Sequence, residues 1–305
     1  MEEVLREMKE HLTIVGLGEL LWDLFPDGPR FGGAPANFAC HAAALGANAY
    51  LVSSVGPDDL GRQGRLALLA HGVHADCVAE CELGPTGTVD VSLDAQGNAQ
   101  FHFAQNVAWD QLHWSRELNQ LAEICTAVCF GTLAQRSAVS RQTIRRFVRS
   151  TPSAALCVFD INLRAPYFDE TMILESLALA NVLKLNDDEL PIVASLFGMS
   201  GTDAQVMTQL AQWFDLDVLA LTRGEQGALL WRRGEISDSP GLPVAVRDTV
   251  GAGDAFTAAL VIGLIRNDAL DDINRRACQV AAHVCSCAGA TPPLPAEITK
   301  QFAVS

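Results

Sequence analysis

The chain has 305 residues, 49% of them hydrophobic and 19% charged, which is enough apolar content for one large core and too much for a disordered segment. A formal net charge of −15 excludes a surface that grips nucleic acid through clustered Lys and Arg, but leaves open a small anion held by local backbone dipoles. The nine cysteines fit no zinc pattern at Cys77/Cys81, Cys125/Cys129 or Cys285/Cys287, so reduced, mostly buried thiols of a cytoplasmic protein are expected.

The chain opens on MEEVLREMKEHLTIV, an acidic start without the basic and apolar regions of a signal peptide. No uncharged run reaches the roughly 18 apolar residues of a membrane span, and no membrane partner is expected. Short apolar, β-branched runs then alternate with longer helical patterns. The strands are LTIVGLG (12–18), AYLVSSVG (49–56), TAVCFGT (126–132), AALCVFDIN (154–162), NVLKLN (181–186) and DVLALT (217–222). Helices are predicted near 35–46, 60–71, 138–149, 170–178, 187–197, 203–213, 251–266 and 270–288. This alternation predicts one doubly wound α/β sandwich with a mainly parallel sheet, spanning 1–305 as a single domain.

Residues 76–105 break the rhythm, because apolar and polar residues alternate there between Gly, Pro and Asn turns with no helix-length pattern. The segment predicts a small antiparallel sheet inserted as a lid, to which FPDGPRFGG (25–33) adds a further piece. On it, Phe101 and Phe103 alternate with His102 and face either a ligand or the lid's own interior.

The motifs narrow the chemistry. GLGELL (16–21) has Leu21 where a dinucleotide fingerprint needs its third glycine, and no GxxxxGK[ST], HExxH or GxSxG is present. In DTVGAGDAF (248–256), Gly251 and Gly253 precede an apolar helix, so their N–H groups lie at its positive end and form an anion hole. Asp254 follows in the first turn. Taken alone it has a lesser reading as a partner of the helix dipole, but a base beside an anion hole is what phosphoryl transfer to a hydroxyl requires.

DTVGAGDAF resembles the C-terminal signature of the ribokinase-like, or PfkB, carbohydrate kinases, and GGAPANFACHAAALG (32–46) resembles their N-terminal signature. DINLR (160–164), KLNDDE (184–189), TRGEQG (222–227) and AGATPPLP (288–295) follow in the family's order over nearly the whole chain. GELLWDLFP, GGAPANFA and DINLR are most similar to those of fructokinases. The resemblance implies the ribokinase-like three-layer α/β/α fold with a small β lid, and an ATP- and Mg²⁺-dependent kinase acting on a primary hydroxyl. D-fructose is the first acceptor; ribose, an aminoimidazole riboside, a nucleoside or a keto-deoxy sugar acid are alternatives, as is a catalytically silent binding relative.

By the same resemblance Asp254 is the catalytic base, with Gly251, Ala252 and Gly253 as its anion hole and Arg164 near the transferring phosphate. Asp23, Gly32, Gly33, Asn37, Phe103 and Asn162 fall to the sugar; the alternative for Asp23 is a solvated strand-end acid, and Asn37 alone is equally a helix cap. Lys184, Asn186, Thr222, Gly224, Gly227 and Cys278 fall to the nucleotide, although Cys278 stands where many relatives carry Asn near the adenine. Asn186 and Glu189 imply a hydrated Mg²⁺, Asp248 a neighbouring K⁺, and the lid a homodimer. Residues 1–11 have no counterpart in the family pattern.

Overall fold

A computed structural model describes residues 12–93 and 99–303. Along the chain run β1 (Thr13–Leu17), β2 (Leu21–Phe25), β3 (Gly28–Gly32), β4 (Asn48–Val55), β5 (Val78–Glu80), β6 (Gly87–Leu93) and β7 (Ala99–Phe103). They are followed by β8 (Ala127–Phe130), β9 (Leu156–Asp160), β10 (Val182–Asn186), β11 (Val218–Thr222), β12 (Ala228–Arg232) and β13 (Glu235–Ser239).

Nine of these form one sheet in the order β13-β12-β11-β10-β9-β8-β1-β4-β5. All its pairs are parallel except β11–β12 and β12–β13. The apolar runs read in the sequence become these strands because alternate residues enter two cores. Ile14, Val182 and Val218 point into one, and Val15, Leu183 and Leu219 into the other. A strand buried on both faces needs such a continuous apolar run.

Helices Ala34–Ala44, Ala252–Ile265 and Leu270–Cys285 cover the first face. Helices Arg116–Ile124, Ala138–Arg149, Glu170–Leu177, Glu189–Leu196 and Asp203–Phe214 cover the second. The Ala252–Ile265 helix has ten buried residues, from Ala255 to Leu264, which is why its sequence is apolar all round.

The expected sandwich is therefore the fold, and it differs from the sequence reading at several elements. The Arg116–Ile124 helix was not predicted, although Ser115 caps it by accepting from Leu118 N–H and Leu118, Leu121 and Ala122 form its buried stripe. The β12–β13 hairpin was also missed; Arg233 and Gly234 both have positive φ, the condition for a tight two-residue turn between twisted strands. Finally, β5 falls inside the 76–105 segment but pairs parallel with β4 in the large sheet, so the inserted sheet does not begin at residue 76.

The second sheet has the order β3-β2-β6-β7 and draws on both predicted pieces, but it is mixed rather than antiparallel, because β2 pairs parallel with β6. GELLWDLF supplies β2, a strand the sequence reading left unassigned, and Asp23 therefore lies within a strand of the small sheet. Residues 94–98, at the predicted tip of the lid, and 1–11 lie outside the described residues.

Candidate active site

In the large sheet the strand order reverses at β1, which lies between β4 and β8. Open α/β sheets bind ligands outside the carboxyl ends of strands at such a switch point. Here those ends carry the quoted motifs: Glu19 follows β1, Asp160 closes β9, Asn186 closes β10 and Thr222 closes β11. A cleft of about 1770 Å³ opens over them and is lined from above by the small sheet. It contains Asp23, Gly33, Asn37, Phe103, Asn162, Arg164, Lys184, Asn186, Thr222, Gly224, Gly227, Asp248, Cys278 and the Gly251–Asp254 turn.

The turn is built as the glycines suggested. Gly251 adopts φ 79°, and a Cβ there would lie 2.2 Å from Ala290 O, so no other residue fits without moving the loop. Gly251→Ala is expected to leave the fold in place but lower kcat on the order of 10²-fold, by turning the backbone donors away from the phosphoryl group. Circular dichroism and steady-state kinetics check this, and an unchanged kcat would remove the turn from the reaction centre.

Asp254 stands in the first turn of the Ala252–Ile265 helix, and its Oδ2 accepts from Asn37 Nδ2 at 2.9 Å. Burial, helped by the charge of Asp160, pushes its carboxyl up to about 7, against the opposing Asn37 hydrogen bond and the Lys184 charge. Such a group is a weak acid that can take a proton near neutral pH. Asn37 thus touches the Asp254 carboxyl itself.

A buried ion pair lies beneath. Lys184 Nζ donates to Asp160 Oδ1 at 3.1 Å, and Asp160 Oδ2 accepts from Thr257 Oγ1 at 2.9 Å. Burial disfavours the ammonium, but Asp160, Glu189 and Asp254 outweigh this and hold Lys184 above its usual range, so it remains a cation. A Cβ on Gly253 would lie 3.0 Å from Lys184 Nζ, which puts that cation directly under the anion hole. Asp160 and Thr257 were not singled out in the sequence, although Asp160 begins the quoted DINLR.

Asp23 and Arg164 lie across the cleft. Burial raises the Asp23 carboxyl to about 6, against the charges of Arg164 and Arg30. Arg164 is exposed. Gly32 is not on the cleft wall; it lies behind Asp23, where a Cβ would come 2.9 Å from Oδ2. Phe101 and Phe103 share one face of β7 and both line the cleft, with Phe103 packed edge-on against Tyr167, so they do not fill a separate lid interior.

Glu189 is buried beneath the cleft rather than lining it. Its two oxygens accept from Leu163 N–H at 2.8 Å and Asn186 N–H at 2.9 Å, tying DINLR to KLNDDE. Asp248 similarly accepts from Val250 N–H and Gly289 N–H, both at 3.1 Å, and joins the Gly251–Asp254 turn to the closing loop. All nine cysteines are free.

The model of the pfkB family of carbohydrate kinases matches residues 28–297. The chain belongs to that family. A Klebsiella pneumoniae fructokinase is 31% identical over 294 residues, covering 90% of this chain and 92% of its own. The Pyrococcus horikoshii sugar kinase PH1459, solved with ATP, superposes with a TM-score of 0.80 at 28% identity, covering 95% and 100%. A Vibrio cholerae O395 fructokinase, solved with fructose, ADP and calcium ion, shares the fold at a TM-score of 0.80 and 23% identity, covering 96% and 99%. The family accounts for the six ordered motifs and for their meeting around one cleft.

Proposed function

We propose that the chain is an ATP-dependent fructokinase that transfers the γ-phosphoryl group to the terminal primary hydroxyl of D-fructose, giving fructose 6-phosphate. The carrying observation is the position of Asp254, a carboxyl poised near 7, at the anion-hole turn and in the same cleft as Asp23 and Asn37. Asp23 accepts hydrogen bonds from neighbouring sugar hydroxyls, while Asn37 fixes both the sugar and the base. Asp254 takes the hydroxyl proton, and the Gly251–Gly253 donors with Lys184 and Arg164 stabilise charge on the moving phosphoryl oxygens.

The nucleotide lies along Asn186, Thr222, Gly224, Gly227 and Cys278, which line the cleft beyond the turn. Mg²⁺ bound with the triphosphate would neutralise its charge. Asn186 faces the cleft and would hold the ion through water, with Glu189 supporting the Asn186 backbone from below. Glu189→Gln should then raise the Mg²⁺ concentration for half activity several-fold, and an unchanged metal titration would remove Glu189 from that network. The Asp248 loop is the place for a K⁺ that firms the catalytic turn. The same reading places the enzyme in the cytoplasm with its ATP supply, and pairs two subunits through the outer face of the small sheet, which sedimentation checks.

The deciding experiment is ADP release over a panel of fructose, ribose, glucose, aminoimidazole riboside and adenosine. Fructose is expected to give the highest kcat/KM. A riboside or ribose ahead by tenfold would overturn the fructose assignment, and no turnover with any acceptor would favour a silent relative.

A further inference from the structure

Beside the catalytic turn lies a second, small cavity with about 10 Å³ of room for a water centre, enough for about one molecule. Its wall includes three carboxylates, Glu19, Asp160 and Asp254, together with Thr132 and Asn162. Asp160 has both oxygens occupied by Lys184 and Thr257, and Asp254 is held on one side by Asn37. Glu19 is different. It is only 3% exposed, and its Oε2 is fully buried with no hydrogen-bond donor among the described residues.

Part of Glu19 has a structural use. Its carboxylate feels its own N–H and that of Ala34, the first residue of the helix that carries Asn37, where a negative charge suits the helix terminus. Neither gives Oε2 a hydrogen bond, and a buried acceptor left unpaired is costly. The wall is mostly apolar, with Phe38, Phe130 and Leu133 on it, but an unpaired buried oxygen that shares this one-water space with the Asp254 carboxyl is where an internal water is bound.

We propose that Glu19 is a positioning residue for the catalytic base: Oε2 accepts a hydrogen bond from one water in this cavity, and the same water bonds the Asp254 carboxyl. This rests on the assignment of Asp254 as base. The water and the Asn37 amide then fix the Asp254 carboxyl plane toward the acceptor hydroxyl.

The charged and titratable groups around this pair come from every neighbouring element. Asp254 is faced by Asp160 on β9, Lys184 on β10, the Cys129 thiol on β8 and Glu19 itself. Glu19 feels Arg164 and Arg136. Of these, only Glu19 combines a free buried oxygen with a place in the small cavity's wall.

Glu19→Gln keeps the size and removes the acceptor charge. We expect kcat with fructose to fall about tenfold, KM for ATP to stay unchanged, and the acidic limb of the kcat/KM profile to move to lower pH as a neighbouring carboxylate is lost. A role confined to the helix terminus predicts a lower melting temperature with that limb unmoved, and this result would overturn the proposal. A high-resolution crystal structure of the unaltered protein decides it independently of folding or turnover: an ordered water bonded to both Glu19 Oε2 and Asp254 is expected, and an empty or closed cavity overturns it. If the wild type phosphorylates none of the panel sugars, the reading of Asp254 fails, while the crystal structure still decides whether the water joins the two carboxyls.

Discussion

Asp254→Asn should fold and bind ATP but turn over on the order of 10²-fold or more slowly, because the acceptor for the sugar proton is lost while the ground-state contacts stay. Asn keeps an oxygen for the Asn37 Nδ2 bond that Asp254 accepts at 2.9 Å. In the wild type, burial holds this carboxyl at about 7, so kcat/KM should fall tenfold per pH unit below that value as the base becomes protonated. The same raised value carries a stability consequence of opposite sign to that of an ordinary salt-bridged acid. Between its usual 3.8 and about 7 the folded state keeps a proton that the unfolded state has released, so stability declines as pH rises through that window. Asp254→Asn removes that decline, and at pH 8 the variant should melt at or above the wild type. Near-normal turnover with saturating sugar would show that Asp254 is not the base.

Much of this arrangement was legible in the sequence because its causes are local. Strands buried on two faces read as short apolar runs, and the six runs identified became six neighbouring strands, β11 through β4, of the nine-stranded sheet. The Gly251 turn was legible too, since a positive φ at a helix start leaves few alternatives to glycine. The edges were harder. β5 has only three residues and β13 is largely exposed, so neither carries a long apolar pattern, and only pairing with a neighbour defines them.

The buried polar groups were the least legible. Asp160, Lys184 and Thr257 are separated by 24 and 97 residues from the partners they bond, and no spacing rule joins them. Glu19 was quoted within GELLWDLFP, yet its burial against Ala34 and the small cavity arises only when β1 and the Asn37 helix pack. Glu189 was expected near a metal from its N-x-x-E spacing. The same spacing lets its carboxylate accept the Asn186 N–H, and the local bond accounts for its burial.

Asp23→Ala should lower kcat/KM for fructose by on the order of 10²–10⁴, because two hydroxyls lose a charged acceptor and each such bond contributes about 1.5–3 kcal/mol. Asp23 is fixed for this task by its strand, where it pairs with Arg30 of β3 and Val89 of β6, and by the missing side chain of Gly32 behind its Oδ2. The loss should appear in both constants: weaker contacts raise KM, and a sugar free to rotate presents its primary hydroxyl to Asp254 less often, which lowers kcat. Affinity for ATP should not change, since Asp23 lies on the small sheet and away from the Thr222–Gly227 loop. The pH dependence separates this from a general loosening of the sheet. Burial raises Asp23 to about 6, so fructose binding to the wild type should weaken below that pH as the acceptor becomes protonated, whereas binding to Asp23→Ala should be flat there. Isothermal titration with fructose at pH 5 and pH 8 reads this directly. An equal pH response in both proteins, or a variant with unchanged kcat/KM, would remove Asp23 from the acceptor site and leave Asn37 as the residue that orients the sugar.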